Sequence, residues 1–98
     1  MHIKPRYPKA TCKDGFSFSA QASSFNYCQP REDYPEVYES VELGYPSKAD
    51  NLIQDYAENP ERPTDTVYPG VPVEVVNALI QKHGGLVSTT PLPPGIDQ

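Results

Sequence analysis

Residues 67–86, VYPGVPVEVVNALIQKHGGL, decide how this chain folds. They read as the end of a strand, a turn, one complete helix and its stop. Pro72 suits the first helical turn, where its missing N–H costs nothing and its φ is already helical. Glu74 falls in the first turn and Lys82 and His83 in the last, as the helix dipole favours. Pro72, Val75, Val76, Leu79, Ile80 and His83 recur at the spacing of one buried stripe. Gly84-Gly85 supplies the left-handed residue that ends helices, and Leu86 is placed to fold back on Ile80. A single stripe of this kind needs a sheet to cover it, and the preceding segments supply the strands.

Residues 10–22, ATCKDGFSFSAQA, predict a β-hairpin. A three-residue Lys13-Asp14-Gly15 loop sets Cys12 opposite Phe16 and Ala10 opposite Phe18. Phe16, Phe18, Ala20 and Ala22 then share an apolar face, with Ser17, Ser19 and Gln21 on the other. Residues 36–45, EVYESVELGY, predict a third strand with Val37, Val41, Leu43 and Tyr45 inward and Tyr38, Ser40 and Glu42 outward. Glu39 breaks the alternation and marks an edge. Residues 47–59 predict a short helix with Ser47 as N-cap and Asp50 completing a capping box. Its inward stripe is Ala49, Leu52, Ile53 and Tyr56, and Asn59-Pro60 stops it. Thr64–Tyr68 gives a short last strand.

The order is β-β-loop-β-α-β-α, an α+β domain. It has a small antiparallel sheet of about four strands, with a short helix and a C-terminal amphipathic helix on one face. Residues 10–87 form that domain, residues 1–9 a basic extended arm, and residues 88–98 a proline-rich tail with no fold of its own. Apolar residues are 37% of the chain and prolines number 12, so seven tyrosines and three phenylalanines carry much of the packing. No apolar run approaches a membrane span, and the N-terminus has no apolar signal region. Cytosolic synthesis follows as the expectation, in a host cytoplasm or, as the alternative, within a virion.

Charge is unevenly spread. Residues 1–31 carry Lys4, Arg6, Lys9, Lys13 and Arg31 against Asp14, a net of +4. Residues 32–65 carry ten acids against Lys48 and Arg62, a net of −8. Such a middle segment argues against duplex nucleic acid as a partner. Cys12 and Cys28 read as two buried thiols rather than a disulfide, since one pair with no export signal makes no disulfide framework. A zinc set of Cys12, Cys28, His2 and His83 has the right number of ligands but no close pairing, and no cofactor is expected.

Catalytic patterns are missing: no glycine-rich phosphate loop, no HExxH, no GxSxG. A Cys28/His83 pair with Asp55 as orienter has no support in the spacing, and His83 reads as a helix-end cap. The chain is not expected to be an enzyme. The best site candidate is the long connection over residues 23–35, SSFNYCQPREDYP. Phe25, Tyr27 and Tyr34 are anchors that lose little entropy on binding, and Arg31 makes paired hydrogen bonds to acidic groups. Outward Tyr38 and Glu42 on the third strand, together with Glu36, complete the surface, and the acids around it steer a basic partner. The competing reading puts these tyrosines in the core, with Arg31 paired to Glu32 or Asp33.

The pieces TCKDGFSFSAQAS, NYCQPR, SVELGYPS, YAENPERPTDTVY and VPVEVVNALIQKHGG resemble, in order and spacing, small accessory proteins of tailed phages. The resemblance runs from Ala10 to Gly85 and carries no functional residues with it. It implies a phage accessory protein, for which blocking a host defence system, anti-CRISPR activity included, is one common use. The expected function is inhibition of a host or defence protein by direct binding. A virion or decoration protein that assembles through its arms is the alternative, and it would bring self-association. A small-ligand binder built on the NYCQPR loop is a further one.

Overall fold

The computed structural model describes residues 6–97. Four strands form one antiparallel sheet in the order β1-β2-β3-β4: Ala10–Thr11, Ser17–Gln21, Ser40–Gly44 and Val67–Pro72. One helix, α1, spans Val73–Lys82, and a 3-10 turn spans Gln54–Tyr56. The fold is a small α+β domain, as the pattern of the chain predicts.

The hairpin has the expected register, with Ala10 opposite Phe18 and the Cys12 N–H bonded to the Phe16 carbonyl at 2.8 Å. Gly15 holds the left-handed position of the loop at φ +96°. Along β2, Phe18 and Ala20 are buried while Ser17, Ser19 and Gln21 are half-exposed, the period-2 alternation of a sheet with one covered face. Val41 and Leu43 of β3, Tyr68 and Val71 of β4, and Val76, Leu79 and Ile80 of α1 close the core over that face.

β4 starts at Val67 rather than at the expected Thr64, continues past Tyr68 to Pro72 and runs straight into α1. Val41 pairs with Val71 and Leu43 with Tyr68, so one residue of β3 faces two of β4, Pro69 and Gly70. The Pro-Gly pair is therefore a bulge within the strand rather than a turn. Gly70 takes φ +63°, which a side chain would resist, and its N–H leaves the ladder to bond the Tyr27 carbonyl at 3.0 Å. Pro72 consequently caps the helix with an extended ψ of 142° instead of entering it, and Val73 is the first buried helical residue.

Three sequence expectations are corrected. The helix over 47–59 shrinks to the 3-10 turn, because its capping groups are used elsewhere. The Ser47 hydroxyl accepts from the Ser17 N–H, and the Asp50 side chain turns toward α1, so that of the expected stripe Ile53 alone is fully buried. Inward and outward positions exchange before Ser40, since β3 starts only there, so Tyr38 is 1% exposed and Val37 is on the surface; Tyr45 follows the strand's end at Gly44 with φ +49° and is on the surface too. The tail is packed. Pro93 and Ile96 are buried, the Tyr38 N–H bonds the Pro94 carbonyl, and the Asp97 N–H bonds the Asn77 side chain on α1. Gly95 permits this crossing, because a Cβ there would lie 2.7 Å from the Tyr38 carbonyl oxygen. Of the basic arm, residues 1–5 lie outside the described residues, and His2 with them.

Candidate functional site

The connection between β2 and β3 is braced along its length. Ser23 is buried, and its hydroxyl donates to Asn26 Oδ1 and accepts from the Phe25 N–H. The Ser24 N–H bonds the Asp33 carboxylate, drawing the two ends of the loop together. The Cys28 thiol is buried against the Ser23 and Pro30 carbonyls. Gln29 bridges to Ser40. The Tyr27 N–H bonds the Glu42 carboxylate at 3.0 Å, and its carbonyl accepts from Gly70. Glu42 faces away from the core, so this part of the loop lies over the sheet face opposite α1.

The rings are displayed from that frame. Phe25 is 63% exposed, Tyr27 57% and Tyr34 67%. The Arg31 guanidinium sits over the Tyr27 ring, 5.4 Å from its centroid. That contact orients Arg31, which enters no ion pair among the described residues. Tyr34 holds φ +57° and Tyr45 φ +49°, and they are the non-glycine residues with positive φ among those described. Backbone strain of this kind costs about 1–3 kcal/mol per residue and persists where surrounding structure imposes it.

Of the expected site residues, Phe25, Tyr27, Arg31 and Tyr34 come together on the loop, with Glu36 exposed just beyond it and Glu42 beneath Tyr27. Tyr38 does not belong to this surface. Its ring is buried, and its hydroxyl donates to the Glu32 carbonyl at 2.6 Å, tying the loop to the core from below. Burial pushes its phenol up to about 12, with Tyr7 adding to the shift. The arm reaches the same region, since Tyr7 exchanges hydrogen bonds with the Gln21 side chain.

A second cluster escapes the sequence pattern. His83, 5% exposed, is held at Nδ1 by Asp14 at 2.6 Å and at Nε2 by Asp50 at 2.8 Å. A carboxylate only accepts, so the two bonds are made together by the imidazolium, which donates from each ring nitrogen. The ring stacks on Phe16 at 4.0 Å, and Lys82 closes the set by reaching Asp50 and Asn51. Burial raises Asp50, but the Leu52 N–H, His83 and Lys82 together outweigh it and hold the carboxyl below its usual range. The signal available in sequence was a histidine on an apolar stripe, which needs buried partners. Asp14 and Asp50 are 69 and 33 residues away from it, beyond any spacing rule.

This arrangement stabilises charge and leaves no ring nitrogen for a substrate. His83 and Cys28 are not paired, and Asp14 and Asp50 rather than the exposed Asp55 are the carboxylate partners of His83. Burial raises both Cys12 and Cys28, and both are free thiols. Among the described residues, no group of His, Cys, Asp and Glu is arranged to hold a metal ion. A cleft of about 270 Å³ lies at the other end of β2, lined by Lys13, Gly85, Leu86, Ser88 and Thr89, and it includes no residue of the loop. No helix among the described residues is long and apolar enough to cross a membrane. Compared with family models, curated proteins and solved structures, the chain matches none.

Proposed function

We propose that this chain is a non-enzymatic protein-binding module of the tailed-phage accessory type, and that it disables a host or defence protein, such as a CRISPR effector, by direct binding. The observation that carries the binding role is the braced loop. It spends many backbone and side-chain bonds on holding Phe25, Tyr27 and Tyr34 in water, where a chain poor in apolar residues has reason to bury them. Exposed aromatics beside an arginine are the usual anchors of an interface. The phage context rests on the sequence resemblance.

Assembly into a virion through exchanged arms has less support, because the tail buries Pro93 and Ile96 within its own chain. A small-ligand role for Arg31 has less support too, because the cleft named above lies away from it.

The test is capture from host lysate on the immobilised wild-type protein, on Tyr27→Ala and on Arg31→Ala, followed by inhibition of the captured protein's activity. A partner retained by the wild type, lost from both folded variants and inhibited in proportion to binding supports the proposal. Equal capture by all three removes the loop from the function. A defined higher assembly in sedimentation would favour the virion role.

A further inference from the structure

We infer that the Tyr27–Arg31 surface takes a lysine- and arginine-rich segment of its partner protein. This rests on the loop being the partner site, and it adds the chemistry of what binds there. Residues 23–47 carry Glu32, Asp33, Glu36, Glu39 and Glu42 against Arg31 alone. Glu32, Glu36 and Glu39 are exposed. The ion pairs among the described residues join Arg62 to Asp65, Lys82 to Asp50, and His83 to Asp14 and Asp50, so none of them neutralises these three.

The backbones of Glu32 and Glu39 are held by hydrogen bonds. The Glu32 carbonyl is held by the Tyr38 hydroxyl, the Glu39 N–H by Gln29, and the Glu39 carbonyl by the Val73 N–H. Glu42 is held against the Tyr27 N–H, so one carboxylate is fixed at the backbone of an exposed aromatic residue. Arg6 and Lys9, on the chain leading into β1, make no ion pair with Glu32, Glu36, Glu39 or Glu42. The loop and its flank thus offer aromatic faces beside carboxylates that no ion pair among the described residues neutralises. A cationic side chain satisfies both, by ring contact and by charge. Arg31 already shows the contact, as the chain's own cation resting on Tyr27. An acidic partner would meet like charge from the acids that outnumber that arginine over residues 23–47.

Two labelled peptides of equal length test this, one of alternating lysine, arginine and glycine, the other with glutamate in place of the cations. Fluorescence anisotropy at low and high salt is read on the wild type, Tyr27→Ala, Glu36→Lys and the control Glu58→Lys/Glu61→Lys. The control reverses exposed acids away from the loop. The cationic peptide should bind and the acidic one should not. Tyr27→Ala should weaken binding about tenfold at both salt concentrations and Glu36→Lys about threefold at low salt only, while the control stays within about twofold. An equal loss in the control would reduce the effect to net charge and overturn the inference. If the cationic peptide fails to bind while Tyr27→Ala still loses the lysate partner, the surface stands and the basic segment falls. If the peptide binds at the loop but the lysate partner ignores Tyr27→Ala, the partner-site reading fails instead.

Discussion

The corner around His83 and the loop around Tyr27 use the same kinds of side chain to opposite ends. At the corner an aromatic ring, a cation and two carboxylates are stacked and paired until each buried polar atom has a partner. At the loop a ring and a cation are also stacked, but in solvent, and near them Glu32, Glu36 and Glu39 enter no ion pair among the described residues. Buried and satisfied, such a set latches the hairpin turn, the 47–53 segment and the helix end into one unit. Exposed on a braced frame, it is ready to bind. What separates the two is burial and pairing rather than composition.

The largest effect should come from breaking the corner. His83→Ala removes one of the partners of buried Asp50, and the expected loss is about 3 kcal/mol in urea unfolding, at the low end for a buried pair because Lys82 and the Leu52 N–H still hold Asp50 and Asp14 is half-exposed and rehydrates. The corner also predicts acid sensitivity. Asp50 and Asp14 both titrate below 3.8 in the folded chain; for Asp14 the Phe16 N–H is the main cause and His83 the next. A depressed carboxyl contributes stability that is present above the unfolded value and lost as pH falls through the folded one. The urea midpoint should therefore hold from neutrality down to about pH 4 and fall below it, and the fall should flatten in Asp50→Asn. A midpoint unchanged down to pH 2 would show that the latch carries no stability.

How these two regions could be seen in advance differs as well. The hairpin register, the β3 alternation over Ser40–Gly44 and the helix were legible because each is a local period with local punctuation. The loop's exposed rings were legible for a related reason: a long, polar, non-periodic connection has no covered face to take them. Tyr38 was misplaced because alternation was extended past the true start of β3, where the tail and Gln29 set the orientation. The 47–59 helix failed because Ser47, a good cap by type, is spent on Ser17, and Asp50, besides its local bond to the Leu52 N–H, is drawn to His83 and Lys82. Each failure is a distant contact overriding a local preference.

Next in size is the loop itself. Tyr27→Ala and Arg31→Ala should each cost about 2 kcal/mol of partner binding with stability changed by less than about 0.5 kcal/mol, the reverse of His83→Ala. Calorimetric binding and melting on the same variants check it. If Tyr27→Ala lowers the melting temperature and binding falls only in step with it, Tyr27 belongs to the core. Tyr38→Phe lies between the regions. It removes the 2.6 Å bond to the Glu32 carbonyl and should cost about 1 kcal/mol of stability, with faster hydrogen exchange over residues 29–34 and unchanged exchange in α1.

The smallest effect expected is that of Glu36→Lys on the lifetime of the complex. Glu36 is exposed, and neither an ion pair nor a hydrogen bond among the described residues involves it. Removing its charge therefore breaks no bond, and stability should stay within about 0.5 kcal/mol. Its contribution to binding is long-range attraction on a cationic partner, which acts during approach and is screened over about 10 Å at moderate salt. Stopped-flow association should slow severalfold at low salt, with dissociation nearly unchanged, and the difference from wild type should close as salt rises. The corner allows no such separation, because there each charge is also a hydrogen-bond partner and losing it alters the fold. A Glu36→Lys variant that instead dissociates faster, at every salt concentration, would place Glu36 in direct contact with the partner and move the surface beyond the loop toward β3.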